Sequence, residues 1–232
     1  MDKRFWVILI VIVLVFGGVF IASNNGKNSP STSTTNTPTN HVEGQDKDKV
    51  TLVEYGDYQC PYCGEYAPVV SQIATAYAPY ITFQFRNLPL TSLHPNAFAS
   101  ARAAEAAGLM GKFWQMNSLL YQENAAYYAS NETAASWVSS SSPLIYFDAF
   151  AKQLGLNVNT FNTDYASTAV NNSINSDVAA FAKTGAQEAT PSFFINGKQI
   201  QPADAFSAFQ TDINSAIKAA GLSVPVVSAP SS

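Results

Sequence analysis

The feature that most constrains this chain is a Cys-x-x-Cys pair, Cys60 and Cys63, which directly follows a strand-forming run. Residues 50–55 are rich in Val and Leu, and the Gly-Asp pair at 56–57 breaks the strand. Pro61 suits the first position of a helix, where its missing N–H is not needed. We therefore predict that Cys60 lies at a helix N-terminus, where free N–H groups and the helix dipole stabilise a thiolate.

Three interpretations of this pair are open: a redox dithiol, half of a zinc site, or a structural disulfide. Zinc takes about four ligands. The chain has only 2 cysteines, and its 2 histidines, His41 and His94, lie in or near loops without ligand spacing. A structural disulfide across so short a loop would gain little chain entropy. Because Cys63 lies one helical turn after Cys60, the two thiols can instead form or resolve a disulfide. We favour the redox dithiol and expect no metal or cofactor.

The sequence predicts an N-terminal membrane anchor over residues 1–22. Residues 5–22 carry no charge, and at about 1.5 Å per residue they cover most of a hydrocarbon core of about 30 Å. A cleaved signal peptide is the alternative, but the run lacks the pair of small residues that cleavage requires. We expect an uncleaved single-pass anchor. Lys3 and Arg4 would keep its N-terminus in the cytoplasm and leave the rest of the chain outside.

The next segment, residues 23–41, is built from Ser, Thr, Asn, Gly and Pro and is predicted to be a disordered tether. Residues 42–221 are long enough for one domain with a sizeable core, and residues 222–232 read as a flexible tail. The net charge is −4 and charged residues make up 12% of the chain. With no basic patch among aromatic residues, this composition argues against nucleic-acid binding.

Periodicity predicts an α/β fold with a helical insertion at about 95–185. The predicted strands are 49–55, 81–88, 192–195 and 198–200, and the last two are joined by the hairpin signal Asn196-Gly197. The predicted helices are 61–77, with a kink at Pro68, then 96–107, 111–122, 131–138, 145–154, 159–184 and 203–220. Trp114 and Trp137 are expected to pack in the core. The element order is β-α-β, the helical insertion, and β-β-α.

Several motifs carry a family resemblance: VTLVEYGDYQCPYC at 50–63, FRNLPL at 85–90, HPNA at 94–97, AGLMGKFW at 107–114 and ATPSFFING at 189–197. Together they resemble the DsbA-like thiol-disulfide oxidoreductases, which have a thioredoxin fold with an inserted helical subdomain. The resemblance covers about residues 42–221. It implies that the chain is a protein disulfide oxidoreductase.

The resemblance also implies roles for individual residues. Cys60 would be the attacking sulfur and Cys63 the resolving one. Pro191 matches a cis-proline whose loop faces the dithiol, and the Thr190 backbone would pair with an extended substrate peptide. Pro61 and Tyr62 form the dipeptide between the cysteines, at the substrate-binding face. This dipeptide differs from the Pro-His of the strongest oxidants in the family.

Glu54 is a charged residue within an otherwise apolar strand. It matches a buried acid of the family, and a buried carboxyl has a raised pKa and could relay a proton to or from the second sulfur. The alternative is an exposed charge at the end of the strand.

The leading functional hypothesis is a membrane-anchored oxidant that donates its disulfide to secreted or surface proteins and is reoxidised by a membrane partner. A reductase or isomerase with the same site is one alternative. A peptide-binding, chaperone-like module whose dithiol is incidental is the other. Turnover of a reduced substrate protein would separate the enzyme from the binding module.

Overall fold

The computed structural model describes residues 37–44 and 49–229. Its strands are β1 (His41–Gly44), β2 (Thr51–Gly56), β3 (Thr82–Asn87), β4 (Ser192–Ile195) and β5 (Lys198–Ile200). Its helices are α1 (Pro61–Tyr77), α2 (Ala97–Leu109), α3 (Phe113–Ala129), α4 (Leu144–Gln153), α5 (Val158–Tyr165), α6 (Thr168–Ala182) and α7 (Phe206–Ala219).

The strands form one mixed sheet in the order β1-β3-β2-β4-β5. Strands β2 and β3 are parallel, with α1 as the crossover between them, and the other neighbouring pairs are antiparallel. Strand β2 pairs on both edges, with β3 and β4. The loop after β2, which carries Cys60, therefore begins in the middle of the sheet. The hairpin between β4 and β5 turns at Asn196 and Gly197, which both have positive φ, as the Asn-Gly signal predicts.

Helix α1 has the predicted bounds, and five helices lie between β3 and β4 as expected for the insertion. The helix predicted over 131–138 is wrong. Asn131 and Glu132 have φ values of 54° and 64°, which end the helical path after α3. The long helix predicted over 159–184 is two helices, α5 and α6. The break falls at Ser167, whose side chain accepts a hydrogen bond from the Val170 N–H and so caps α6.

The last residues of the predicted tether are ordered, so its boundary at residue 41 is wrong. His41 begins β1. The Thr39 N–H and hydroxyl each donate to the carboxylate of Asp177 at 2.7 Å. The Gln84 amide donates to the Thr39 carbonyl at 3.1 Å. These are polar contacts, and a hydrophobic pattern does not predict them.

Other predictions for the chain ends lie partly outside the described residues. These are the anchor at 1–22, the tether up to residue 36, and residues 230–232 of the tail. Residues 222–229 form neither helix nor strand, although Gln210 donates to the Val227 carbonyl at 2.6 Å. Among the helices of the described ranges, none has the length and apolar character needed to cross a bilayer.

The core has a sheet part and a helical part. Apolar residues of the sheet pack against α1 and α7, with Leu52, Phe193 and Phe209 among the most buried. The helical part packs around Trp137, as predicted, and Trp114 is partly buried between both parts. Cys60 and Cys63 belong to the helical cluster, although β2 and α1 carry them. The dithiol therefore lies where the two parts of the core meet.

Candidate active site

Cys60 occupies the N-cap position of α1, with φ −67° and ψ 126°, and Pro61 begins the helix. The Cys60 N–H donates to the Asp57 carbonyl at 3.1 Å, and the Cys60 carbonyl accepts from the Gly64 N–H at 3.2 Å. Both cysteines are free thiols in this structure. The prediction that Cys60 lies at the N-terminus of a helix is confirmed.

The two sulfurs differ in acidity. A hydrogen bond from the Cys63 thiol is the main cause that lowers the pKa of Cys60 from 9.0 to about 6, and the backbone N–H groups of Tyr62 and Cys63 act in the same direction against the effect of burial. Burial raises the pKa of Cys63 well above 9.0, and its hydrogen bond to Cys60 adds to this. At neutral pH, Cys60 is a thiolate and Cys63 a thiol, which is the arrangement that a nucleophile and a resolving sulfur require.

The peptide bond between Thr190 and Pro191 is cis, as predicted. Sγ of Cys60 lies 3.4 Å from the Thr190 carbonyl oxygen, to which it donates a hydrogen bond when it is protonated. Thr190 and Pro191 also line a groove of about 290 Å³ together with Tyr62, whose residue surface is 64% exposed. Tyr66, Phe193, Gln199, Ile200 and Pro202 complete most of its walls. The structure thus brings three of the four predicted substrate-binding residues, Tyr62, Thr190 and Pro191, to one groove beside Cys60, and Pro61 does not line it.

Glu54 is buried, with 3% of its surface exposed, so the alternative of an exposed strand-end charge is wrong. Burial raises its pKa from 4.5 to about 8. Its charge is among the causes that raise the pKa of Cys63. Within the described residues, neither Oε1 of Glu54 nor the hydroxyl of Tyr121 has a hydrogen-bond partner. Both residues line a cavity of about 460 Å³ between α1, α3 and the sheet, and Glu43 of β1 also lines it.

Asp57 and His94 are functional candidates that the sequence reasoning missed. It treated Asp57 as a strand breaker and His94 as a loop residue. Asp57 is 1% exposed, and its carboxylate contacts Nδ1 of His94 at 2.7 Å. The hydrogen bond to Asp57 raises the pKa of His94. Two signals were present: an acid three residues before the first cysteine, and a His-Pro pair in a loop that follows the neighbouring parallel strand.

The helical part of the molecule holds the loop that carries Cys60. Asn124 of α3 donates to the Tyr58 carbonyl at 2.9 Å, and the Tyr128 hydroxyl donates to the Gln59 carbonyl at 3.2 Å. The Gln59 side chain donates to the Val138 carbonyl at 2.8 Å. These bonds join the loop to α3 and to the segment that follows it. The insertion therefore helps to fix the position of the reactive sulfur.

Metal binding has no support in the ranges that the structure describes. No group of three or more His, Cys, Asp and Glu side chains there could hold an ion. The two histidines instead contact carboxylates: His94 contacts Asp57, and His41 contacts Glu105 at 2.8 Å.

Comparison with protein families gives a match between residues 36–215 and the family described as Thioredoxin. The chain belongs to this family. Among solved structures, it is similar to oxidised BdbD from Bacillus subtilis, with a TM-score of 0.64, 21% identity, and coverage of 78% of this chain and 96% of that one. It is also similar to α-DsbA1 from Wolbachia pipientis, with a TM-score of 0.63, 18% identity, and coverage of 79% and 93%. The predicted thioredoxin-like fold with an inserted helical subdomain, as in structures of DsbA type, is confirmed.

Curated relatives include the Na(+)/H(+) antiporters NhaA 1 of Salinispora arenicola, 35% identical over 159 residues, and NhaA 3 of Salinispora tropica, 33% identical over 159 residues. Both alignments cover 68% of this chain and 22% of the relative. The chain therefore spans about a fifth of the length of the curated relatives it matches.

Proposed function

We propose that this thioredoxin-family chain is a thiol-disulfide oxidoreductase that oxidises cysteine pairs of other proteins. The observation that carries the proposal is the position of Cys60 at the N-terminus of α1, one helical turn before Cys63, where the pKa of Cys60 is lowered and that of Cys63 is raised. A thiolate state of Cys60 stabilises the reduced form only, because a disulfide carries no charge. The protein therefore tends to accept electrons and to transfer its disulfide to a substrate.

The reaction begins from the Cys60–Cys63 disulfide. A substrate thiolate attacks Sγ of Cys60, the bond between the two protein sulfurs breaks, and its electron pair moves to Sγ of Cys63. Cys63 then takes up a proton, since its buried thiolate is unfavourable. A second substrate thiolate attacks the substrate sulfur of the mixed disulfide, and Cys60 leaves as a thiolate. The substrate loses two electrons and gains a disulfide, while the protein gains two electrons as its dithiol.

We propose that Glu54, whose charge acts on Cys63, relays a proton to and from that sulfur. Its pKa of about 8 keeps most of the carboxyl protonated at neutral pH. The cavity that it lines extends past polar side chains on α3, among them Asn117 and Gln122. Water in this cavity would return a proton to Glu54 after each transfer.

The groove beside Pro191 is the proposed substrate site. The Thr190 backbone would pair with an extended peptide, and exposed Tyr62 offers an aromatic surface to its side chains. We further propose that the substrates are secreted or surface proteins and that a membrane partner reoxidises the dithiol. The support is the apolar run at residues 5–22, which would hold the domain outside the cytoplasm.

Substrate oxidation by three forms of the protein tests the proposal. The oxidised wild type should convert a peptide with two reduced cysteines to its disulfide, and Cys60→Ser should fall to the uncatalysed rate. Reduced Cys63→Ser, mixed with a disulfide-containing peptide, should accumulate a mixed disulfide that mass spectrometry assigns to Cys60. If Cys60→Ser retained turnover, the proposed chemistry would be wrong. If the oxidised protein failed as an oxidant while the dithiol reduced disulfides, the reductase alternative would replace it.

A further inference from the structure

The carboxylate of Asp57 is the centre of a hydrogen-bond network behind Cys60. One oxygen, Oδ1, accepts from the Gln59 N–H at 2.8 Å. The other, Oδ2, accepts from the Leu90 N–H at 3.0 Å and contacts Nδ1 of His94 at 2.7 Å. A buried carboxylate with these three partners is well solvated by the protein. It is also a negative charge close to a sulfur that must itself become negative.

The backbone of the same residue contacts both cysteines. The Asp57 carbonyl accepts from the Cys60 N–H at 3.1 Å, and the Asp57 N–H donates to Sγ of Cys63 at 3.5 Å. A movement of Asp57 would therefore displace the dithiol directly. The side chain of Asp57 determines the position of that backbone because Leu90 and His94 hold it from a different loop.

His94 is the basic side chain that contacts this carboxylate in the described residues. Its side chain is 16% exposed, so it can exchange protons with solvent while it contacts the buried acid. Asp57 and the Cys60 sulfur are the charged groups that act on it, and both favour its protonated form. The charges of Asp57 and Cys60 also act on Tyr128 of α3. Its pKa is raised, so its hydroxyl stays protonated near neutral pH.

We propose that His94 is a positioning residue for disulfide exchange: its imidazolium balances the buried charge of Asp57, and this allows Cys60 to exist as a thiolate. If His94 loses its proton, the Asp57 charge is no longer balanced and opposes a second negative charge at Cys60. The proposal deepens the proposed function and depends on it for its biological meaning. The coupling between His94 and Cys60 can nevertheless be measured without any substrate.

The pH dependence follows from this coupling. Below the pKa of His94, the pair with Asp57 is ionised and the Cys60 thiolate is favoured. As the pH rises through that pKa, the stabilisation of the thiolate is lost. In return, a Cys60 thiolate favours the proton on His94, so the reduced protein should hold this proton to higher pH than the disulfide form.

The test is a titration of the ultraviolet absorbance of the Cys60 thiolate in the wild type and three variants. His94→Gln keeps a hydrogen-bonding side chain without a charge, and should raise the pKa of Cys60 by about one unit. His41→Gln is the matched control, because His41 also contacts a carboxylate but does so at Glu105. It should leave the pKa of Cys60 unchanged. In the double variant His94→Gln/Asp57→Asn, both charges are absent and the pKa of Cys60 should return toward the wild-type value.

A merely structural role for His94 gives a different result. The double variant would then be at least as perturbed as His94→Gln, and the proposal would be wrong. It would also be wrong if His94→Gln titrated like the wild type.

If the double variant with Asp57→Asn fails to fold, the alkylation rate of Cys60 is measured against pH in the remaining forms instead. The wild type and His41→Gln should both have a second inflection from His94 that His94→Gln lacks, and an unchanged profile in His94→Gln would overturn the proposal. Failure of the proposed function would appear elsewhere, as a wild type that titrates normally but does not oxidise peptides.

Discussion

Cys60 and Cys63 are one helical turn apart, yet the regions around them have opposite electrostatic character. The region of Cys60 is polar: it contains a helix N-terminus, the thiol of Cys63 as a hydrogen-bond donor, and the pair of Asp57 and His94. The region of Cys63 is apolar, and its nearby acid, Glu54, is mostly neutral at pH 7. One region therefore favours a charge on sulfur and the other opposes it.

This contrast gives the two sulfurs different parts in the proposed reaction. A thiol of low pKa leaves faster, so Cys60 is the better leaving group when the mixed disulfide is resolved. The direction of the first attack follows from position instead, because Cys60 lies beside Thr190 of the groove and Cys63 is fully buried. The chemistry depends on the difference between the regions more than on either region alone.

The largest expected effect is on the free energy of unfolding, which the buried carboxyl of Glu54 lowers at neutral pH. Its pKa is raised, so the folded protein holds a proton that the unfolded chain releases above pH 4.5. The cost is absent below pH 4.5 and grows until about pH 8, reaching about 3 kcal/mol at pH 7. Glu54→Gln should increase the free energy of unfolding at pH 7 by about this amount, as measured by urea denaturation.

Exposed Glu65→Gln on α1 is the control, and its effect should stay within about 0.5 kcal/mol. No gain in stability for Glu54→Gln would mean that Glu54 is better solvated than its burial indicates.

The Glu54→Gln variant should also slow reoxidation, in which Cys63 must lose a proton, more than it slows attack on Cys60. Equal slowing of both reactions would argue against proton transfer by Glu54.

The second effect is a difference between the two redox forms. The depressed pKa of Cys60 stabilises the reduced protein fully above pH 9, and this stabilisation is lost as the pH falls through about 6. The reduced form should therefore gain roughly 2 kcal/mol relative to the oxidised form between pH 5 and pH 8. Denaturation of both forms at the two pH values measures this gain. Cys60→Ala forms neither the thiolate nor the disulfide and is the reference for the reduced form: an equal rise in its free energy of unfolding between the two pH values would contradict the assignment to Cys60.

The smallest effect on stability is expected outside both regions, at Tyr62. Because this side chain is largely exposed, Tyr62→Ala should change the free energy of unfolding by less than about 0.5 kcal/mol. It should nevertheless raise KM for a peptide substrate several-fold with little change in kcat, because it removes a wall of the groove. Exposed Tyr80→Ala, outside this groove, should change neither quantity. A fall in kcat alone would place Tyr62 in the chemical step instead of in binding.

The sequence predicted most of the fold and most of the candidate site residues, but not Asp57 and His94. Helix α1 and the hairpin at Asn196 were readable because local signals, a proline at the start of the helix and an Asn-Gly turn, coincide with clear apolar periodicity. Strand β1 was missed because its four residues include His41 and Glu43 and end at a glycine, so that only pairing with β3 makes them a strand. Tertiary contact overrides weak local preference in such segments.

The roles of Asp57 and His94 were missed for a related reason. The sequence places them 37 residues apart, and neither has a spacing that indicates a partner. Their pairing depends on the parallel arrangement of β2 and β3, which brings the loops after these strands to the same edge of the sheet. A prediction that combined topology with the polar residues at strand ends would have found them.

The bonds to the loop of Cys60 also have a consequence for the nascent chain. The groups that hold residues 57–59 come from positions 33 to 79 residues further along the chain. Contacts over such distances form late, after the intervening segments have been synthesised and packed. Until then the loop of residues 57–59 lacks the bonds that hold it in place. The position of Cys60 relative to the rest of the site is therefore fixed only after the later segments have folded.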